Sequence, residues 1–307
     1  MPSFTTAVVA AITSERPGLQ RVELGTGRRA YVLTQLIGPV AAGDRVVVNT
    51  TAVDLGLGTG GWDVVHWNLS REAWSAPGGG HVLKLRYTSL QVDTGVSAEA
   101  RDRLDGTPVV ACDLHSQLAP VAAAFAEAAP GRRLSYVMTD SAALPLAVSD
   151  LVADLVERGL LAETITCGQA FGGGREAVNL HSALVLAGGD AIVVAPGPGV
   201  VGTGSRLGYG GLEVAQVVDA AATLGGHPIV AVRYSEADPR PRHQGRSHHT
   251  ATALELASHP ALAPVPPQGW AGPDVAGVTT MGRTQADDPE FFRWAAAAGL
   301  AAAQRLS

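Results

Sequence analysis

The strongest constraint on this chain lies between residues 106 and 260, where short, almost wholly apolar runs alternate with segments of helical periodicity. The apolar runs are PVVACDLHS (108–116), RLSYVMTDS (133–141), AETITCG (162–168), DAIVVAPG (190–197) and PIVAVRYSE (228–236). Between them, QLAPVAAAFAEA (117–128), LAVSDLVADLVERG (146–159), REAVNLHSALVLA (175–187) and LEVAQVVDAAATL (212–224) repeat apolar residues at helical spacing. Strands without polar alternation are buried on both faces, and strands that alternate with helices pair in parallel. The pattern therefore predicts an α/β fold with a doubly wound, mainly parallel sheet.

The stretch before residue 95 has a different rhythm. FTTAVVAAI, LQRVELG, RRAYVLTQLI and GDRVVVNTTAVDL are short and rich in Val, Thr and Leu, with turn signals at Pro17-Gly18, Gly25-Thr26-Gly27 and Ala42-Gly43-Asp44. This predicts a smaller N-terminal all-β domain over 1–95, barrel-like because a sandwich needs more strands. The α/β domain spans 106–260. Residues 261–307 then supply a proline-rich link, a short strand in AGVTTMG and a closing helix with Asp288 as N-cap and Pro289 in the first turn. That helix buries Phe291, Phe292 and Trp294 against the α/β core or a partner subunit.

Charge and composition exclude several classes. A net charge of −6 and a pI near 5.8 argue against nucleic acid, whose binders usually carry a basic patch, and against an anionic membrane as partner. Two cysteines, Cys112 and Cys167, give no disulfide framework, and a cytoplasmic protein is the simplest expectation. The start of the chain lacks the pattern of a signal peptide, and no apolar run approaches the roughly 20 residues of a membrane span.

Gly197-Pro198-Gly199-Val200-Val201-Gly202 follows a predicted strand and formally matches a dinucleotide fingerprint. The context fails: Gly202 leads into TGSRLGYGG rather than a helix, and the next strand ends in Arg233 rather than an acid. What remains is a loop with free amides and Thr203, Gly204 and Arg206, suited to an anion, or else a crossover that only packs tightly. Gly172 and Gly173 form a second glycine turn. Arg240 and Arg242 add guanidinium groups that could neutralise a phosphate or carboxylate.

His243, His248 and His249, with Asp238 as the nearest carboxylate, form a weaker candidate for metal, since adjacent histidines rarely reach one ion. His115 and Asp140 also follow predicted strand ends, and parallel strands bring such ends to one edge of the sheet. His115, Asp140 and His243 are the proton-transfer candidates. Lys84, the sole lysine, lies on HVLKLRYTSLQ (81–91), where Val82, Lys84, Arg86 and Thr88 share one face. That face is either solvated or turned towards an anionic ligand, with Gly78-Gly79-Gly80 allowing a close backbone approach.

GGGHVLKLRYTSLQ, VMTDSAALP, TCGQAFGGGREAVN, APGPGVVGTGSRLGYGG and the Asp238–His249 segment resemble, over nearly the full chain, an uncharacterised bacterial family known as a domain of unknown function. The resemblance implies no activity and assigns no catalytic residue. The cysteine and glutamine of TCGQAFGGG vary in that pattern, so it implies no nucleophilic role for Cys167. The expectation is an enzyme acting on an anionic small molecule at the carboxyl edge of the sheet, closed over by the β domain, with no cofactor specified. A non-catalytic metabolite-binding module and a structural homo-oligomer are the alternatives.

Overall fold

The computed structural model describes all residues except 77, 79, 100 and 307. It divides into two compact units, Met1–Gly95 and Val96–Ser307. The middle glycine of the 78–80 run lies outside the described residues.

In the first unit, five strands close into a barrel in the order β1-β2-β3-β5-β4: β1 (Phe4–Arg16), β2 (Leu19–Leu24), β3 (Arg29–Leu33), β4 (Arg45–Asn49) and β5 (Trp62–Asn68). Two single-turn helices, α1 (Thr34–Ile37) and α2 (Thr51–Asp54), follow β3 and β4. β1 serves two neighbours, pairing with β4 over Phe4–Val8 and with β2 from Val9 onward. Register shifts between Val9 and Ala11 and between Ile12 and Ser14 let it bend around the closure, as bulges do at barrel rims. Val9, Val22, Ala30, Val32, Val46, Val48 and Val65 fill the interior. The turn at Gly25–Gly27 joins β2 and β3 as the predicted hairpin.

The predicted strand at 81–91 is not formed. Only β6 (Leu83–Lys84) pairs, with β7 (Val92–Asp93), because Leu85 and Tyr87 turn the backbone left-handed at φ 53° and 59°. Lys84 is buried while Leu83 is exposed, the reverse of a solvated basic face.

The second unit holds a six-stranded, all-parallel sheet ordered β11-β10-β9-β12-β8-β13. These strands are β8 (Pro108–Ala111), β9 (Leu134–Thr139), β10 (Glu163–Thr166), β11 (Arg175–Glu176), β12 (Ala191–Pro196) and β13 (His227–Val230). Every residue of β8, β9 and β12 is buried, in keeping with their largely apolar character. Helices α3 (Leu118–Ala128) and α4 (Asp150–Glu157) cover one face, joined there by the last helix. Helices α5 (Leu180–Leu186), α6 (Val214–Thr223) and α7 (His248–Leu256) cover the other. The sheet is thus doubly wound.

Two local readings change. Residues 175 and 176 form an edge strand rather than the start of a helix. Arg175 bonds Glu163 at 3.2 Å and Glu176 accepts from Thr166 at 2.7 Å, so both side chains tie them to β10. The helix begins only after Asn179, whose side chain caps it. The expected strand in 276–282 is a loop with a single bridge, Thr280 to Arg283.

The closing helix, α8 (Pro289–Gln304), lies on α3 and buries Phe291 and Phe292, while Trp294 stacks on Tyr234 at 4.6 Å. The two helices approach so closely that a Cβ at Gly299 would collide with the Val121 carbonyl. Gly299→Ala should therefore destabilise the protein by about 2 kcal/mol or more despite the higher helix propensity of alanine, read as a lowered urea midpoint.

Candidate functional site

After β13 the chain runs through Ala231–Arg233 into a small hairpin, β14 (Tyr234–Ser235) with β15 (Gly245–Arg246), and then into α7. Ser247 caps α7 by accepting the His249 amide at 3.2 Å. The cap places His248 and His249 in the first turn, and the hairpin brings His243 back against them. Their ring centroids lie 4.4–5.2 Å apart, and one ring nitrogen from each falls within 4.8 Å of the other two. Adjacent histidines meet here because the third arrives from a separate loop.

Hydrogen-bond chemistry assigns two of the rings. Arginine can only donate, so the 3.3 Å contact from Arg242 Nε makes His243 Nε2 an acceptor. The His243 Nδ1–H then donates to Ser247 Oγ at 2.8 Å. By the same reasoning, Arg233 Nη1 at 3.1 Å makes His249 Nδ1 an acceptor. Burial lowers the pKa of all three histidines. Arg233 adds to this for His243, driven down to about 3, and for His249, while Arg242 and then Arg233 do so for His248. All three are neutral at pH 7.

Asp113 completes the cluster. It follows β8, is buried, and lies 3.7 Å from His249 Nδ1. With His249 neutral this contact is not an ion pair. Among the described residues neither Asp113 carboxyl oxygen has a hydrogen-bond partner, and the same holds for His248 Nε2. Burial raises the Asp113 carboxyl to about 6, against the opposing pull of Arg233. Tyr209 lies flat on His249, with centroids 3.6 Å apart, and donates to the His249 carbonyl at 3.0 Å. Gly211 makes this packing possible, since a Cβ there would strike the Asp113 backbone.

Asp238 anchors the hairpin. It accepts a two-point fork from Arg240 at 2.9 and 2.7 Å, with Arg283 at 3.4 Å and Arg233 at 3.7 Å. Burial alone would raise its pKa, but Arg240 and then Arg283 hold it far below the ordinary carboxylate range. Asp288, expected to cap α8, makes no side-chain cap bond. Its carboxylate instead accepts from Ser235 at 2.6 Å and from Arg283 at 3.1 Å.

The other sequence candidates are dispersed. His115 is pinned, with Nδ1 2.9 Å from the Pro196 carbonyl and Nε2 2.7 Å from Ser149, and burial lowers it to about 4. Asp140 accepts the Gln169 amide at 2.8 Å. The glycine loop folds on itself: Thr203 N donates to Gly208 O at 2.7 Å, Gly208 N to Ser205 Oγ at 3.0 Å, and Gly202 bridges Tyr209. Gly197 sits against the Ala143 carbonyl and Gly199 is exposed. Arg206 pairs with Glu255 at 2.6 Å. The amides of Gly172 and Gly173 donate to Glu176 and Thr166. Arg242 lies beside Gly204. A cavity of about 630 Å³, lined by none of the histidine-cluster residues, is lined by His115, Ser116, Asp150, Arg158, Gly199 and Thr280, among others.

Asp113 lies within the run PVVACDLHS, two residues before His115, but only its burial without a donor among the described residues sets it apart. Tyr209, in the tail of the glycine loop, carried no signal of its own.

The site therefore defines an α/β protein with a polar cluster beside the carboxyl ends of β8 and β13, made of buried Asp113, Arg233 and His243, half-buried His248 and His249, and exposed Arg242. The chain belongs to the family described as "Protein of unknown function (DUF3866)", whose profile matches residues 29–271. No curated protein matches the chain. Among the described residues no helix is long and apolar enough to cross a membrane.

Two stability predictions follow from the charges. Because its folded pKa is raised, Asp113 favours the folded state at low pH and loses that contribution as pH rises through about 6. Asp113→Asn should thus raise the unfolding free energy by about 1–3 kcal/mol at pH 7.5 and leave it unchanged near pH 4, measured by urea titration. Asp238 has the opposite sign, stabilising above the ordinary carboxylate pKa and losing that effect on acidification below it. Asp238→Ala should cost about 3–5 kcal/mol at pH 7, because Arg233 remains buried beside the gap.

Proposed function

We propose that the protein is an enzyme acting on a small anionic molecule at the polar cluster beside β8 and β13. The observation that carries this reading is Asp113, a buried carboxyl with no side-chain hydrogen-bond partner among the described residues, raised to about 6 beside a neutral imidazole. A carboxyl kept unpaired at a cost to stability belongs where protons are exchanged near neutral pH. In this role Asp113 is the general acid or base. Arg242, which is exposed and reaches His243, meets the anionic group of the substrate, and Arg233 holds His249 in place.

The internally bonded glycine loop takes no direct part, and Tyr209 at its end positions His249 by stacking. His115 and Asp140, both engaged elsewhere, serve as supports rather than as proton carriers. A metabolite-binding module without chemistry is the second reading, favoured by the cavity of about 630 Å³, which is of ligand size.

Thermal-shift measurements with sugar phosphates, nucleotides and small carboxylates separate the two. At least one anion class should raise the melting temperature of the wild type, with the shift lost in Arg242→Ala. If stabilisation survives that change but disappears on filling the cavity with Thr280→Trp, the second reading holds. Absence of any anion effect would overturn both.

A further inference from the structure

We infer that His243, His248 and His249 form a binding site for one divalent transition-metal ion such as Zn²⁺, with Asp113 orienting His249 from behind. With metal bound, Asp113 positions His249 in place of the proton-transfer role given above and Arg233 gives up His249; the site rests on that reading only for the anionic oxygen that would take the open position on the metal.

Three imidazoles from two segments place one nitrogen each within 4.8 Å of the others. A tetrahedral zinc ion with Zn–N bonds of about 2.0–2.1 Å needs its ligand nitrogens roughly 3.4 Å apart. Small side-chain rotations close that difference, and none of the three rings is fixed through both nitrogens to a rigid backbone group.

Ligand chemistry agrees. A histidine binds metal through an unprotonated ring nitrogen, and the donated contacts from Arg242 and Arg233 already require one on His243 and one on His249. His243 already has the arrangement of a metal ligand, with Nδ1–H held by Ser247 and the Nε2 lone pair facing out to a movable group, Arg242. A carboxylate behind a ligating imidazole is the common outer partner in zinc sites. Asp113 stands 3.7 Å from His249 in that relation, provided His249 shifts its proton to Nδ1 and releases Arg233.

An independent observation points to the same place. Both Asp113 oxygens and His248 Nε2 are buried without a hydrogen-bond partner among the described residues. Buried polar atoms are nearly always satisfied, and an ion at the cluster would supply both an electrostatic partner for Asp113 and a bond for His248. Three histidine ligands leave one tetrahedral position open, the arrangement of a catalytic rather than a structural site. Arg233 and Arg242 oppose a bare cation but favour one that carries an anion at the open position, such as hydroxide, phosphate or carboxylate.

The test uses the full chain, stripped with chelator, and titrated with Zn²⁺ by calorimetry and with Co²⁺ by visible absorption, without substrate. One ion per chain should bind, with the visible bands of nitrogen-ligated, low-coordinate Co²⁺. His248→Ala should weaken binding at least tenfold. This change removes a half-buried ring whose Nε2 has no hydrogen-bond partner among the described residues, so the fold should persist, as checked by the melting temperature in the absence of metal. Asp113→Asn should weaken binding by about 10–100-fold while leaving the stoichiometry at one. No saturable ion in the wild type, or equal binding by wild type and His248→Ala, overturns the site. An Arg242→Ala protein that binds Zn²⁺ but no longer responds to anions keeps the metal site and supports the anion reading. One that binds Zn²⁺ and still responds to anions keeps the metal site and removes Arg242 from the anion reading.

Discussion

A single carboxylate, Asp238, sits almost out of solvent among three guanidinium groups. Arg240 grips it through two nitrogens, Arg283 comes from the C-terminal segment and Arg233 from the end of β13. A buried charge of this kind is expensive unless it is fully paired, so the three arginines cannot be placed independently. Their shared partner fixes the hairpin that carries His243, and it places Arg233 towards Asp113 and His249. Through Asp288, which bonds both Ser235 and Arg283, the start of α8 is held to the same point.

Around that anchor the cluster is built from elements with different tasks. The parallel sheet delivers Asp113 at the end of β8 and Arg233 beyond β13, neighbouring strands in its order. The Ser247 cap sets the start of α7 and with it two histidines. Gly211 allows the segment after β12 to pack on Asp113, which lets Tyr209 reach the His249 ring. Each contribution is local, but the neutral histidines and the unpaired carboxyl result from their common burial.

Much of the frame was legible from residue order. Unbroken apolar runs such as AIVVA and SYVM state burial on both faces, and the intervening helices state parallel pairing. The barrel was legible because alternation in RVVVN and RAYVL gives an inner and an outer face to each short strand. The strand expected at 81–91 was misread because alternation does not report backbone sign, and Leu85 and Tyr87 adopt a left-handed conformation that side-chain pattern does not encode. Arg175 and Glu176 looked helical for a similar reason: their ties to Glu163 and Thr166 are contacts across the sheet edge.

The site itself was legible only as a region. The sequence by itself determined the α/β class, the β-rich first unit and the gathering of polar residues at strand ends, since these follow from hydrophobic period and chain direction. The tertiary structure decided which of those residues meet. His115 and Asp140 are held by Pro196, Ser149 and Gln169, and the glycine loop spends amides on itself. Asp113, an ordinary turn residue in the sequence, becomes the unpaired buried carboxyl beside three histidines. Spacing along the chain cannot report that outcome, because desolvation depends on what surrounds a group in three dimensions.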